Sequence, residues 1–134
     1  MNNRADDVRK FIKDNELEDY IVWLWWVKYK ELWNYILAAD VAVVPSLVEW
    51  FWFSAAETCA VWQQLICSNA AALTEVVSWK INFAEPWNPQ AIADAMINFY
   101  NWEYQDIARK EFSWEDNIKQ TLDCYERVLW RNLK

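Results

Sequence analysis

The sequence predicts an α/β domain in three layers, a parallel sheet with helices on both faces. Three observations carry that reading. Short apolar runs alternate along the chain with longer stretches of helical spacing. Strand–helix–strand units of this kind close with right-handed crossovers and bury a parallel sheet. The run Val41 to Val44 is apolar throughout and ends on Pro45-Ser46, as a strand covered on both faces does. Finally, 134 residues with 55% hydrophobic and 25% charged side chains suffice for one core and are too apolar for a disordered chain.

The elements follow in order. Arg4 to Asn15 has helical spacing through Val8, Phe11 and Ile12, and Tyr20 to Leu24 reads as a short strand. Glu31 to Ala38 is a helix, Val41 to Val44 a strand, and a helix runs from about Ser54 to Val61. Gln64 to Ser68 is a strand, Leu73 to Val77 a short helix, and Ile81 to Ala84 the last strand. Asn88-Pro89 opens a helix, with asparagine as N-cap and proline in the first turn; its apolar face is Ile92, Ala95, Met96 and Phe99. Ser113-Trp114-Glu115-Asp116 opens the final helix, which carries Ile118, Leu122, Tyr125, Val128 and Leu129 on one side. The whole chain, 1–134, reads as a single domain. Ligands of such sheets bind beyond the C-terminal strand ends, so the loops after Leu24, Pro45 and Ser68 are expected along one rim.

Composition removes several functions. A net charge of −7 argues against general binding to nucleic acid or to an acidic membrane surface. The chain has no histidine, which removes Ser-His and Cys-His catalysis and His-based metal sites. Its three cysteines, Cys59, Cys67 and Cys124, form no Cys-x-x-Cys pair and read as reduced cytoplasmic thiols. No stretch reads as membrane-spanning, because the apolar region Val41 to Cys67 is broken by Pro45, Glu49 and Glu57. The polar Met1 to Lys10 does not read as a signal peptide.

The strongest chemical signal is Pro45-Ser46-Leu47-Val48-Glu49-Trp50-Phe51-Trp52-Phe53-Ser54-Ala55-Ala56-Glu57. It puts Glu49 in the loop after a buried strand and Glu57 in the first turn of the next helix. Carboxylates accept bonds from sugar hydroxyls, and a helix N-terminus attracts phosphate. Two plainer readings stay open. Ser54-x-x-Glu57 matches a capping box, in which Glu57 serves the backbone, and Glu49 alone is an ordinary exposed loop acid.

This segment resembles the donor-site signature of the group 1 (family four) glycosyltransferases, P-S-x-x-E-G-F-G-x-x-x-x-E. The similarity continues through Cys59 to Asn69, Leu73 to Val77, Pro86 to Met96 and Phe112-Ser113-Trp114-Glu115, and upstream through Val22 to Val27, Glu31-Leu32 and Ala38 to Val41. It covers roughly residues 20 to 129.

The resemblance implies a Rossmann-like three-layer α/β/α fold, the C-terminal half of a GT-B enzyme. It implies transfer of a hexosyl group, with retention of configuration, from a nucleotide-diphosphate sugar to a saccharide or glycolipid acceptor in polysaccharide biosynthesis. No metal and no cofactor beyond that donor is implied. Glu49 would contact hydroxyls of the transferred sugar and is the expected catalytic residue. Glu57 would bind the ribose, and backbone amides of the Trp50, Phe51, Trp52 and Phe53 loop would lie against sugar and phosphates. Trp26 and Val27 would border the nucleotide base, with core packing an equal alternative for both.

By the same resemblance, the acceptor-binding N-terminal domain is missing, and the final helix, roughly 114–130, would pack back toward it. The Arg and Lys that neutralise the diphosphate belong upstream; Arg4, Arg9, Lys10 and Lys13 read as solvated charge. The chain alone is expected to bind a donor weakly and not to turn over. A cytoplasmic location is implied, and peripheral membrane association of the full enzyme is allowed. The alternatives are a non-catalytic remnant or binding module of the same fold and, less well matched, a sugar-nucleotide epimerase of the related two-domain fold.

One departure is systematic. The chain has no glycine and twelve tryptophans, where average usage of about 7% would give roughly nine glycines. The family has glycine at the positions of Trp25, Trp50, Trp52, Trp62 and Trp79, and Trp87 and Trp102 stand where glycine would suit a loop. Trp114 differs, since the family itself often has tryptophan after Phe-Ser. Repeated replacement of one residue type by one other points to a gene whose UGA codons mean glycine and were read as tryptophan. The rival is that the tryptophans are real, in which case Trp50 and Trp52 crowd the donor pocket.

Overall fold

The computed structural model describes residues 4–46, 53–70 and 73–132, with only the backbone of 130–132. The chain divides into two units, Met1–Asn34 and Tyr35–Lys134.

In the first unit, helix α1 (Arg4–Asp14) carries acids in its first turn and Lys13 in its last, the order the helix dipole favours. The segment that follows corrects a sequence expectation. Tyr20 to Leu24 forms no strand, and Tyr20 and Val22 are 84% and 85% exposed. A five-residue apolar run becomes a strand only where a sheet edge pairs it, and this one pairs with none. Trp23 of this run and the adjoining Trp25 instead lie under the Arg9 guanidinium, 5.7 and 5.1 Å from the ring centroids, as cation–π contacts. Helix α2 (Tyr29–Ala38) begins in this unit and ends in the second.

The second unit holds the sheet. Its elements are β1 (Ala42–Val44), α3 (Phe53–Ala60), β2 (Leu65–Ser68), α4 (Leu73–Val76), β3 (Trp79–Ala84), α5 (Pro89–Tyr100), β4 (Gln105–Ile107) and α6 (Trp114–Asn132). The strand order is β1-β2-β3-β4. The first three strands are parallel, with Val44 opposite Cys67 and Ser68 opposite Ala84. The fourth runs antiparallel to β3, pairing Trp79 with Ile107. The expected parallel sheet is formed by β1 to β3, and β4 adds an antiparallel edge strand that was not expected. Gln105-Asp106-Ile107 escaped the sequence reading because an exposed edge strand needs no apolar run.

The side-chain alternation of the strands builds two cores. Leu65, Cys67 and Ile81 point to one face and pack with Ala55 of α3, Leu73 of α4 and Val77. Ile66 and Ala84 point to the other and pack with Ala95 and Phe99 of α5. The sheet is thus covered on both faces, which is the three-layer arrangement expected. Gln63, nearly buried, ties α2 to this sheet: its Nε2 donates to the carbonyls of Ile36 and Ala39, and its Oε1 accepts from the Gln64 amide. Helix-end carbonyls are short of intrahelical partners, and this one side chain serves two carbonyls at the end of α2.

Helix α5 starts as the sequence predicts. Asn88 is its N-cap, accepting from the Ala91 amide at 3.0 Å, with Pro89 at the first position. Asn88→Ala is expected to destabilise the protein by about 1 kcal/mol, read as a lower urea midpoint with an unchanged slope.

Burial pushes the Cys67 thiol from 9.0 up to about 12 and raises Cys59 as well. The folded state therefore keeps a proton that the unfolded chain releases. The Cys67 contribution is fully present below about pH 9 and is lost as pH rises from there toward 12. Iodoacetamide at about pH 8 is expected to modify exposed Cys124 and to spare Cys67 until the protein unfolds.

Candidate functional site

The parallel register aligns the C-terminal ends of β1, β2 and β3, so the segments that follow them share one rim. They are Pro45-Ser46, Asn69-Ala70 and Glu85 to Asn88. The Asn69 amide donates to the Ala84 carbonyl at 2.9 Å, carrying the ladder one step past β2. The Glu85 carboxylate accepts from Asn88 Nδ2 at 2.9 Å and holds the third rim turn against the start of α5. That turn was not expected on the rim; the signal available was its place directly after a strand.

Helix α3 enters from this rim. Thr58, buried, satisfies its hydroxyl within the helix by donating through Oγ1 to the Ser54 carbonyl one turn back, at 2.7 Å. Glu57 is half-buried and is the fifth residue of α3, just past the first turn in which it was expected, because the helix begins a residue earlier. Ser54 is the second residue of the helix and not the one before it, so the capping-box register does not hold as written. Phe53, the first residue of α3, is exposed.

Glu49, Trp50, Phe51 and Trp52 lie outside the described residues. They belong to the segment 47–52, which joins the end of β1 to the start of α3. Trp26 and Val27 belong to the first unit, where Trp26 is 75% exposed and Val27 half-buried. Core packing within that unit therefore does not account for Trp26.

The described rim residues 45–46, 69–70 and 85–88 include no lysine or arginine. Any anion at this rim depends on backbone amides and on cations from elsewhere. A groove of about 980 Å³ lies at the opposite end of the sheet, lined by Asp40, Gln63, Gln64, Phe99 and Tyr100 among others. It faces the N-terminal strand ends, away from Glu57, and the rim geometry is the better guide to a ligand of this fold.

A mostly parallel sheet covered on both faces, with a carboxylate-bearing helix entering from its C-terminal rim, is the architecture of a GT-B glycosyltransferase half. The chain belongs to the family described as Glycosyl transferases group 1, which matches residues 2–120. That match takes in α1, ahead of the motif-bearing stretch from residue 20.

Among its relatives is an uncharacterized glycosyltransferase of Methanocaldococcus jannaschii, 26% identical, with 91% of this chain and 35% of the relative aligned. Another is the O-antigen chain mannosyltransferase B of Escherichia coli, 29% identical over 90% of this chain and 34% of the relative. Sucrose-phosphate synthase from Thermosynechococcus elongatus has the same fold over 96% of this chain and 35% of its own, with a TM-score of 0.73 at 21% identity. The chain spans about a third of the length of the curated relatives it matches. Among the described residues no helix is long and apolar enough to cross a membrane.

Proposed function

We propose that this chain is the donor-binding part of a retaining hexosyltransferase that uses a nucleotide-diphosphate sugar. The observation that carries the reading is Glu57 in α3, the helix that follows the C-terminal end of β1, eight positions after Glu49 in a chain of the group 1 family. Glu57 binds the ribose and Glu49 the hydroxyls of the transferred sugar. Backbone amides of Trp50, Phe51, Trp52 and Phe53 lie against the sugar and phosphates, with the N-terminus of α3 favouring their negative charge. Trp26 and Val27 border the base. Rate enhancement comes from holding the donor and stabilising the departing diphosphate and the oxocarbenium-like sugar.

An acceptor domain completes the active enzyme. Ile118, Leu122, Tyr125, Val128 and Leu129 of α6 are each more than half exposed and recur at helical spacing along one side. In the complete enzyme this stripe packs against that domain. The mannosyltransferase among the relatives favours a mannosyl donor and a cell-surface polysaccharide or glycolipid acceptor, made on the cytoplasmic side.

The test is to incubate the complete enzyme with a panel of nucleotide-diphosphate hexoses, including the guanosine and uridine forms, and a saccharide acceptor. Proton NMR of the product should show the anomeric configuration of the donor. An inverted anomer would remove the retaining assignment, and no transfer from any donor would favour a non-catalytic module.

A further inference from the structure

Among the described residues, five without glycine's freedom have positive φ: Glu16, Trp62, Trp79, Trp87 and Trp102. Four of the five are tryptophan. A bulky side chain in that region is a genuine outlier, because Cβ crowds the following carbonyl. Chance placement does not concentrate one of the bulkiest side chains in the region it tolerates worst.

The local hydrogen bonds say which residue each place is built for. After α3, the Trp62 amide donates to the Cys59 carbonyl at 3.1 Å and the Gln63 amide to the Thr58 carbonyl at 3.1 Å. After α5, the Trp102 amide donates to Phe99 at 3.0 Å and the Glu103 amide to Asn98 at 2.8 Å. Both are Schellman helix ends, with Trp62 (φ 60°) and Trp102 (φ 63°) at the left-handed C′ position, which is usually glycine. Trp87 (φ 61°) follows Pro86 in the turn that the Asn88 amide closes on the Glu85 carbonyl at 3.3 Å. Proline followed by positive φ is the type II turn, whose third residue is ordinarily glycine. Trp79 (φ 79°) is the first residue of β3.

The indoles themselves hold little. Those of Trp62, Trp87 and Trp102 are 48%, 84% and 74% exposed. Trp62 and Trp79 stack edge-on against each other at 4.9 Å, and the Arg109 guanidinium lies over Trp62. These are peripheral contacts whose removal opens no core cavity. Trp33 and Trp114 are different. Trp33 sits inside α2, half-buried, in an edge-on pair with Tyr29 at 5.9 Å, and Trp114 is the first residue of α6. Neither has positive φ.

We infer that the polypeptide made in its own host carries glycine at positions 62, 79, 87 and 102 and tryptophan at positions 33 and 114. Backbone conformation thereby sets these four tryptophans apart from Trp33 and Trp114, independently of any donor or of the role of Glu49. The simplest origin is that UGA is decoded as glycine by the host and was read here as tryptophan, with UGG at the genuine sites.

The test is tandem mass spectrometry of tryptic and chymotryptic peptides from the protein isolated from that host, together with the codons of its gene. The expected result is glycine encoded by UGA at 62, 79, 87 and 102, beside tryptophan encoded by UGG at 33 and 114. Tryptophan at the four left-handed positions, or one residue type at all six, overturns the inference. The residue read at these six positions does not depend on whether the enzyme binds a nucleotide sugar, so the failure of this inference is distinguishable from the failure of the proposed function.

Discussion

In the complete enzyme, Glu49→Ala is expected to lower kcat/KM for sugar transfer by about 100-fold or more, an effect of the size seen when a charged group serving the transition state is lost. The proposed role is specific. Glu49 lies in sequence between β1 and α3, and in the proposed role its carboxylate accepts from sugar hydroxyls as positive charge develops on the ring. Glu49→Gln keeps the size and part of the hydrogen bonding but loses the charge, so it should recover a fraction of the activity. Nucleotide affinity should change little in either variant, because the nucleotide is held elsewhere. Full activity in Glu49→Ala would show that the loop acid is an ordinary surface residue.

Leu65→Ala should have the largest effect on stability. Leu65 is fully buried on β2, between two neighbouring strands, and packs with Ala55, Cys67, Leu73, Val77 and Ile81. Shortening it removes apolar burial and leaves a cavity that β1 and β3 cannot close. The expected loss is about 2–5 kcal/mol, against a total stability on the order of 5–15 kcal/mol for a domain. Thermal unfolding should show it as a fall in Tm of about 10 °C or more. Leu37→Ala is the control. Leu37 is 57% exposed, and its loss should change stability by no more than about 0.5 kcal/mol.

The sequence was most legible where the physics is local. Val41 to Val44 and Gln64 to Ser68 are uninterrupted or nearly uninterrupted apolar runs, and they became β1 and β2 within a residue at the N-terminal end. Asn88-Pro89 announces a helix start through a capping side chain and a fixed φ, and α5 begins there. It failed where structure depends on a distant partner. Tyr20 to Leu24 has strand composition and no strand beside it. Gln105 to Ile107 has little strand composition and became β4, because the edge of β3 offered hydrogen bonds and an exposed edge demands little of its side chains.

The candidate site divides along similar lines. The segment after β1 placed Glu57 on the next helix, and it lies there, as the fifth of eight residues. The register along that helix did not hold, because a capping box is defined by a few residues and shifts when the helix begins one or two residues earlier. Trp62, Trp79, Trp87 and Trp102 stood out in the sequence only through resemblance and composition. Their backbone angles give the same four positions a physical reason.

The central claim is that the C-terminal rim of this sheet holds a nucleoside diphosphate, with Glu57 on the ribose. Isothermal titration of the complete enzyme with GDP and UDP, each against wild type and Glu57→Ala, tests it most directly. Wild type should bind at least one of the two, and Glu57→Ala should bind that one about 10- to 100-fold more weakly while unfolding at an unchanged temperature. Equal affinity in the two proteins, or no binding of either nucleotide to wild type, would contradict it.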